Sequence, residues 1–414
     1  MLGRTMKISA SVISNWARSN RAEAQHRLPE WVRRLCSAVG PEIALRVPSG
    51  DETHLTGWDG VVESKVEHPF VPLGSSRWEV SCAQDFERKA SRDYKKRTGD
   101  TDASRASQET FVFVTPLVWP TDSREQWLRN RRAEGHWRKV EIIDAVDLEH
   151  WLEITPTVAL AFGESIGIMG EGIRSLTAFW KDWACQLAPE PTVSSFLRGR
   201  ENIAQNLRDV ALCPIGPHEY ENLTVQADSA REAAIFSVAS LIDQIVPCDK
   251  AVVVTEPRGW SFVEQSGSLD LVVAATPEVA RTAPYRSGLR IVIPATSADV
   301  VRPKDKSFLV VRAEEREFAA SLVDLEIDEV EAEQLSRSCG RSWTVLGRIL
   351  SRNTALRTPE WTRYPKGTVL SLLTLLACWD GDDPKDRGFV SRLMDREYGD
   401  IEAELQELLF VEDT

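Results

Sequence analysis

Two periods alternate along the first 160 residues of the chain. Leu28, Trp31, Val32 and Leu35 recur at spacings of three and four, which predicts a helix over residues 28–38 with one apolar face. The period then drops to two, and residues 43–47 and 59–66 read as strands. Residues 77–82 read as a third strand, with Trp78 and Val80 on one face and Glu79 and Ser81 on the other. Residues 84–97 return to the helical period, with Phe86, Ala90 and Tyr94 on the buried stripe. Residues 110–115 are almost wholly apolar, as a strand covered on both faces requires. A Trp-containing helix over 124–134, a strand over 140–143 and a helix over 147–153 complete the region. The order α-β-β-β-α-β-α-β-α predicts an α/β fold with one mixed sheet flanked by helices.

Residues 161–196 read as a connector: glycines between Gly163 and Gly172, an aromatic helix, then Pro189-Glu190-Pro191. Beyond Phe196 apolar strands follow at 223–226, 251–255, 271–274, 290–294 and 308–311. Helical segments separate some of them, the pattern of a parallel, Rossmann-like sheet. Helical signal dominates from Glu315 onward. The expected domains are therefore 1–160, 161–196, 197–314 and 315–414, without internal repeats. The last residues, Leu408 to Thr414, follow an apolar helical pattern with no terminal cap, which reads as a chain cut from a longer polypeptide or ending before a sensor region.

Composition narrows the classes. Of the residues, 42% are hydrophobic and 27% charged, as in a soluble globular protein. No apolar run reaches the roughly 18–20 residues of a membrane span. The seven cysteines are scattered without a CxxC pair, and the six histidines lack metal-ligand spacing. That pattern argues for a cytoplasmic protein without zinc or a disulfide framework. The net charge of −13 disfavours indiscriminate nucleic-acid binding. Charge is uneven, however: residues 87–97 and 124–139 each carry six Lys/Arg against two acids, while 399–414 is acidic. Basic patches inside an acidic chain suit a phosphate backbone admitted at one chosen surface.

The sharpest chemistry lies between Gly57-Trp58-Asp59-Gly60 and Trp78-Glu79-Val80-Ser81. One aspartate and one glutamate stand at the ends of two neighbouring strands, with the basic helix 84–97 directly after them. Two carboxylates can hold a hard divalent cation, and a lysine beside them can stabilise charge developing on a phosphate. Element order and acid placement over 28–153 resemble the PD-(D/E)xK nuclease superfamily, in particular its Mrr-type, restriction-endonuclease-like effector nucleases of bacterial anti-phage systems. The resemblance implies Asp59 and Glu79 as ligands of Mg²⁺, with Mn²⁺ as a substitute. Ser81 departs from the family pattern by occupying the lysine position. Lys89 on the following helix is the expected replacement, and Tyr94, Lys95, Lys96 and Arg97 are the expected contacts to DNA. Glu30 is a candidate extra ligand. Without a metal role, Asp59 would be a tight-turn residue and Glu79 a solvated strand residue.

Phe196-Leu-Arg-Gly199-Arg200-Glu201 and the strands after it resemble the STAND/AAA-like modules that follow effector domains in bacterial defence proteins. Where a phosphate-binding GxxxxGK[ST] loop should follow residues 223–226, the chain reads Ala227-Asp228-Ser229-Ala230-Arg231-Glu232-Ala233. It has neither glycine nor lysine, and Ser229 with Glu232 forms an S-x-x-E capping-box pattern. ATP turnover is therefore not expected. The helical end resembles the helical or winged-helix part of such modules. Together the resemblances imply a Mg²⁺-dependent DNA endonuclease of a defence system, acting as a homo-oligomer or with a defence-system partner, without membrane association. The alternative is a non-catalytic scaffold for nucleic-acid binding, oligomerisation or sensing.

Overall fold

The computed structural model describes residues 7–402 except 41, 47–56, 217, 243–250, 268, 297–298, 300–305, 354–365, 368, 371–372 and 374–377. His54, Cys248, most of 361–379 and the terminal residues 408–414 lie outside the described residues. The chain is α/β and divides into two compact units, Met1–Ala178 with Gln244–Val272, and Phe179–Asp243 with Val273–Thr414.

The first unit is built on a five-stranded sheet in the order β1-β2-β3-β4-β5. Its strands are β1 (Ile43–Arg46), β2 (Gly60–Ser64), β3 (Gly74–Val80), β4 (Thr110–Val114) and β5 (Lys139–Ile143). β1, β2 and β3 pair antiparallel, while β3, β4 and β5 pair parallel, so the sheet is mixed. All five β4 residues are buried, as its apolar run predicts for a central strand.

Helices cover both faces. On one side α1 (Ala10–Ser19) and α2 (Arg21–Val39) share a core with Trp78, Val80, Val112 and Val114. On the other side α3 (Phe86–Asp100) contributes Ala90 and Tyr94 to a second core with Phe111, Phe113 and Trp127. The short α4 (Ala103–Ala106) and α5 (Thr121–Ala133) follow α3, and Ala106 and Trp127 join that second core. Further along, α6 (Ala145–Ile154) and α7 (Pro156–Ser165) complete the first core through Trp151 and Phe162.

Helix α2 begins well before residue 28. Pro29 lies inside it and reads in sequence as a helix start, because proline interrupts the backbone ladder. β3 ends at Val80, so Ser81 and Cys82 belong to the turn. There the Ser81 N–H donates to the Val114 carbonyl at 2.9 Å. The unit also holds an antiparallel pair, β6 (Ile173–Ser175) with β8 (Ala251–Val254). Three-residue β6 is too short for its period to be read inside the glycine-rich stretch.

In the second unit β7 (Tyr220–Ala227) pairs in parallel with β10 (Leu289–Thr296) and with β11 (Lys306–Leu309). The boundary between the units' segments falls inside β9 (Leu271–Ala274), which is buried at every position. The helix Ala230–Ile242 follows β7 and is buried along almost its whole length. Helices Glu315–Val323, Glu329–Ser338 and Trp343–Ile349 follow β11.

Candidate active site

Register places the two acids. Gly60 pairs with Trp78 across the antiparallel β2/β3 ladder, so one step further Asp59 stands opposite Glu79. Directly opposed residues of such a pair project from the same face. That face lies away from Trp78 and towards α3. The Val80 N–H donates to Asp59 Oδ2 at 2.9 Å, fixing the aspartate against the end of β3.

Helix α3 supplies the other wall. Lys89, Asp93 and Arg97 recur every four residues and so form one stripe. Together with Asp59, Glu79 and Lys96 they line a cleft of about 420 Å³. Gln25 of α2 also lines it, whereas Glu30 is not among its lining residues. Lys89 Nζ lies 2.5 Å from Asp93 Oδ2. Arg97 donates from Nε to Glu79 Oε1 and from Nη2 to the Gly57 carbonyl. Its guanidinium stacks 4.9 Å from the Trp58 ring centroid, so Trp58 supports the arginine from behind. Trp78 is fully buried on the opposite face of the sheet.

The electrostatics follow from burial. Burial pushes the Glu79 carboxyl from 4.5 up to about 7; the Asp59 charge adds to the rise and Arg97 opposes it. Asp59 is also raised, chiefly by burial, against the Val80 N–H and the charges of Arg97 and Lys89. Two desolvated carboxylates, each raised chiefly by burial, form a place where positive charge is stabilising.

Among the described residues, no group of three or more His, Cys, Asp or Glu side chains is arranged to hold a metal ion. Of the four acids lining the cleft, Asp59, Glu79, Asp93 and Asp100, the first two are opposed at the end of the β2/β3 ladder, while Asp93 is paired with Lys89. The opposed pair suits Mg²⁺, which keeps several waters and is commonly held by one or two carboxylates together with substrate phosphate. It does not suit a structural zinc, which wants four protein ligands. Within those limits Asp59 and Glu79 are the residues that would hold such an ion.

The remaining expected residues separate. Lys96 is exposed and lines the cleft, and Lys95 is exposed outside it. Arg97 is the counter-ion of Glu79 rather than an outward-facing contact. Tyr94 requires a correction: it is 1% exposed, its ring packs edge-on against Phe111 and Trp127, and its hydroxyl donates to the Arg131 carbonyl at 3.3 Å. A buried ring on the packing stripe is not available to a phosphate. Asp93 is the acid that sequence reading passes over. The signal was present, since Asp93 stands four residues after Lys89 and four before Arg97.

In the second unit the capping box forms only by half. Ser229 Oγ accepts the Glu232 N–H at 3.1 Å, but the Glu232 carboxylate turns to Arg200 Nη1 at 2.9 Å and Thr344 Oγ1 at 2.8 Å. Asp228, in the turn after β7, accepts from Arg312 Nε at 2.8 Å.

No protein-family model matches the chain, and no curated protein is significantly similar to it in sequence. Among the described residues no helix is long and apolar enough to cross a membrane.

Proposed function

We propose that the first unit is a Mg²⁺-dependent endonuclease acting on DNA. The observation that carries the reading is the Asp59–Glu79 pair, opposed at the end of one ladder inside a cleft walled by Lys89, Lys96 and Arg97. When bound, the divalent cation would polarise the scissile phosphate and favour attack by water. The chain's own groups divide the rest. Asp59 and Glu79 hold the cation, Asp59 being kept in place by the Val80 N–H. Lys89, oriented by Asp93, supplies positive charge where the phosphate becomes more negative. Lys96 and Lys95 attract the backbone at the exposed side of α3.

The second unit is read as a regulatory, STAND-like module without a phosphate loop. An acid held by Arg312 and a serine capping its own helix stand where a phosphate would need backbone amides and a lysine. On this reading control comes from assembly or from a defence-system partner rather than from ATP turnover. Plasmid incubated with Mg²⁺ or Mn²⁺ should pass from supercoiled to nicked or linear form, and chelator should stop the conversion. Equal conversion in chelator would overturn the reading.

One observation favours the alternative of a cleft that grips nucleic acid without cutting it: Arg97 already answers the charge of Glu79. On that alternative, DNA binding is unaffected by Mg²⁺ and no product forms.

A further inference from the structure

The Asp59–Glu79 pair already has a cation, and it is Arg97. Nε of Arg97 donates to Glu79 Oε1, and the same charge acts on Asp59, so one guanidinium answers both carboxylates. Arg97 and Glu79 are both largely buried, which leaves little water to screen the contact. A carboxylate in such surroundings keeps its partner until another cation replaces it, because standing unanswered is costly. A divalent ion held by Asp59 and Glu79 therefore competes with Arg97 for Glu79.

Two contacts of Arg97 do not involve Glu79. Nη2 donates to the Gly57 carbonyl, and the guanidinium lies 4.9 Å from the Trp58 ring centroid. A guanidinium carries five donors, so Nε can change partner while Nη2 and the planar face keep theirs. Lys89, on the same stripe of α3, is likewise held by an acid, Asp93, at 2.5 Å. Exposed Lys96 lines the same cleft and has no ion pair among the described residues. The two half-buried cations of the cleft are thus each held by a carboxylate, and the exposed one faces an incoming polyanion.

We propose that Arg97 is a latch on the cation site. In the DNA-free fold it closes Glu79 to a divalent ion, and a phosphodiester of the DNA backbone takes its Nε and opens Glu79. Phosphate suits the exchange, because a guanidinium meets phosphate and carboxylate with the same planar set of donors. Cation and DNA then bind cooperatively, each strengthening the other by the same factor. The site loads its cation chiefly where DNA is present. The latch rests on the reading of Asp59 and Glu79 as cation ligands and adds when they become available.

The test is the binding of Mn²⁺ alone to the full chain, read from loss of the free-ion EPR signal. It runs at about pH 8, where a proton competes less for Glu79. Arg97→Gln should bind Mn²⁺ at least about tenfold more tightly than the parent, inside the range of roughly 5–150-fold usual for coupled sites. Lys89→Gln removes an equal charge from the cleft without freeing Glu79 and should give a distinctly smaller gain. In chelator, Arg97→Gln should weaken DNA binding and lower its salt slope by about one, as for a residue that ends on a phosphate.

Equal Mn²⁺ affinity in the parent and folded Arg97→Gln, or equal gains from Arg97→Gln and Lys89→Gln, would overturn the latch while leaving the cation site in place. An unchanged salt slope would overturn its release by DNA. Absence of Mn²⁺ binding throughout, or binding undiminished in folded Asp59→Asn and Glu79→Gln, would remove the cation-ligand reading and the latch with it. Arg97→Lys keeps the charge without the planar fork and should bind Mn²⁺ severalfold more tightly than the parent. Should Arg97→Gln fail to fold, unchanged affinity in Arg97→Lys would decide against the latch.

Discussion

Arg97 donates from Nε to Glu79 Oε1, and so a basic residue lining the cleft serves one of the two candidate cation ligands directly. Both partners are largely buried, with side-chain exposures of 13% and 6%. Removing one partner of such a pair leaves the other charge unanswered, at a cost of about 3 kcal/mol or more. Arg97→Ala should show that loss near pH 8, where Glu79 is ionised. Near pH 5 the folded protein holds Glu79 protonated, and the loss should shrink. Urea unfolding at the two pH values measures the difference, and equal losses would contradict the pairing.

Glu79 itself should make the fold pH-sensitive. Folded, its carboxyl keeps a proton up to about pH 7; unfolded, it releases the proton near 4.5. Its contribution is therefore complete below about 4.5 and is lost as pH rises through 7. The loss is at most about 3 kcal/mol, taking 1.36 kcal/mol per pKa unit. Glu79→Gln should flatten that decline when unfolding is measured in chelator from near pH 4 to about pH 8. A parent protein equally stable across this window would refute the raised carboxyl.

Lys89 and Asp93 make a separable pair. Lys89→Ala should lower the rate of DNA cleavage by about 10²–10³, the usual effect of removing one donor to developing charge. Because Lys89→Ala leaves the buried Asp93 carboxylate without its close cation, the variant should also melt lower, and rates are compared well below its transition. Asp93→Asn keeps the amine but not its anchor and should give a smaller loss. Duplex cleavage rates decide this, and a Lys89→Ala rate within about threefold of the parent would remove Lys89 from the chemistry.

The exposed basic residues should act through salt-dependent binding. Lys95→Ala and Lys96→Ala should each weaken DNA affinity and reduce the salt slope by about one. Tyr94→Phe, altering a buried hydroxyl, should leave both unchanged. Fluorescence anisotropy across a salt series reads the slopes, and a large effect of Tyr94→Phe would mean that the ring reaches DNA after all.

How much of this the sequence carries depends on the kind of information needed. The alternation Trp78/Val80 against Glu79/Ser81 orients β3 correctly, and the apolar run at 110–115 marks the central strand, because both follow from local periodicity. The pairing of Asp59 with Glu79 needs the β2/β3 register, which is non-local. The basic run 87–97 gives charge but no azimuth until its spacing is taken against the buried stripe of Phe86, Ala90 and Tyr94. That comparison places Tyr94 inside and the series Lys89, Asp93, Arg97 along the cleft. Gln25, brought in by α2, has no sequence signal at all.

The most direct measurement is metal-dependent cleavage of a labelled DNA duplex by the parent chain, Asp59→Asn and Glu79→Gln, each shown to be folded by its thermal transition. The account predicts Mn²⁺- or Mg²⁺-dependent product from the parent and none from either variant. Cleavage at the parent rate in both folded variants would contradict it.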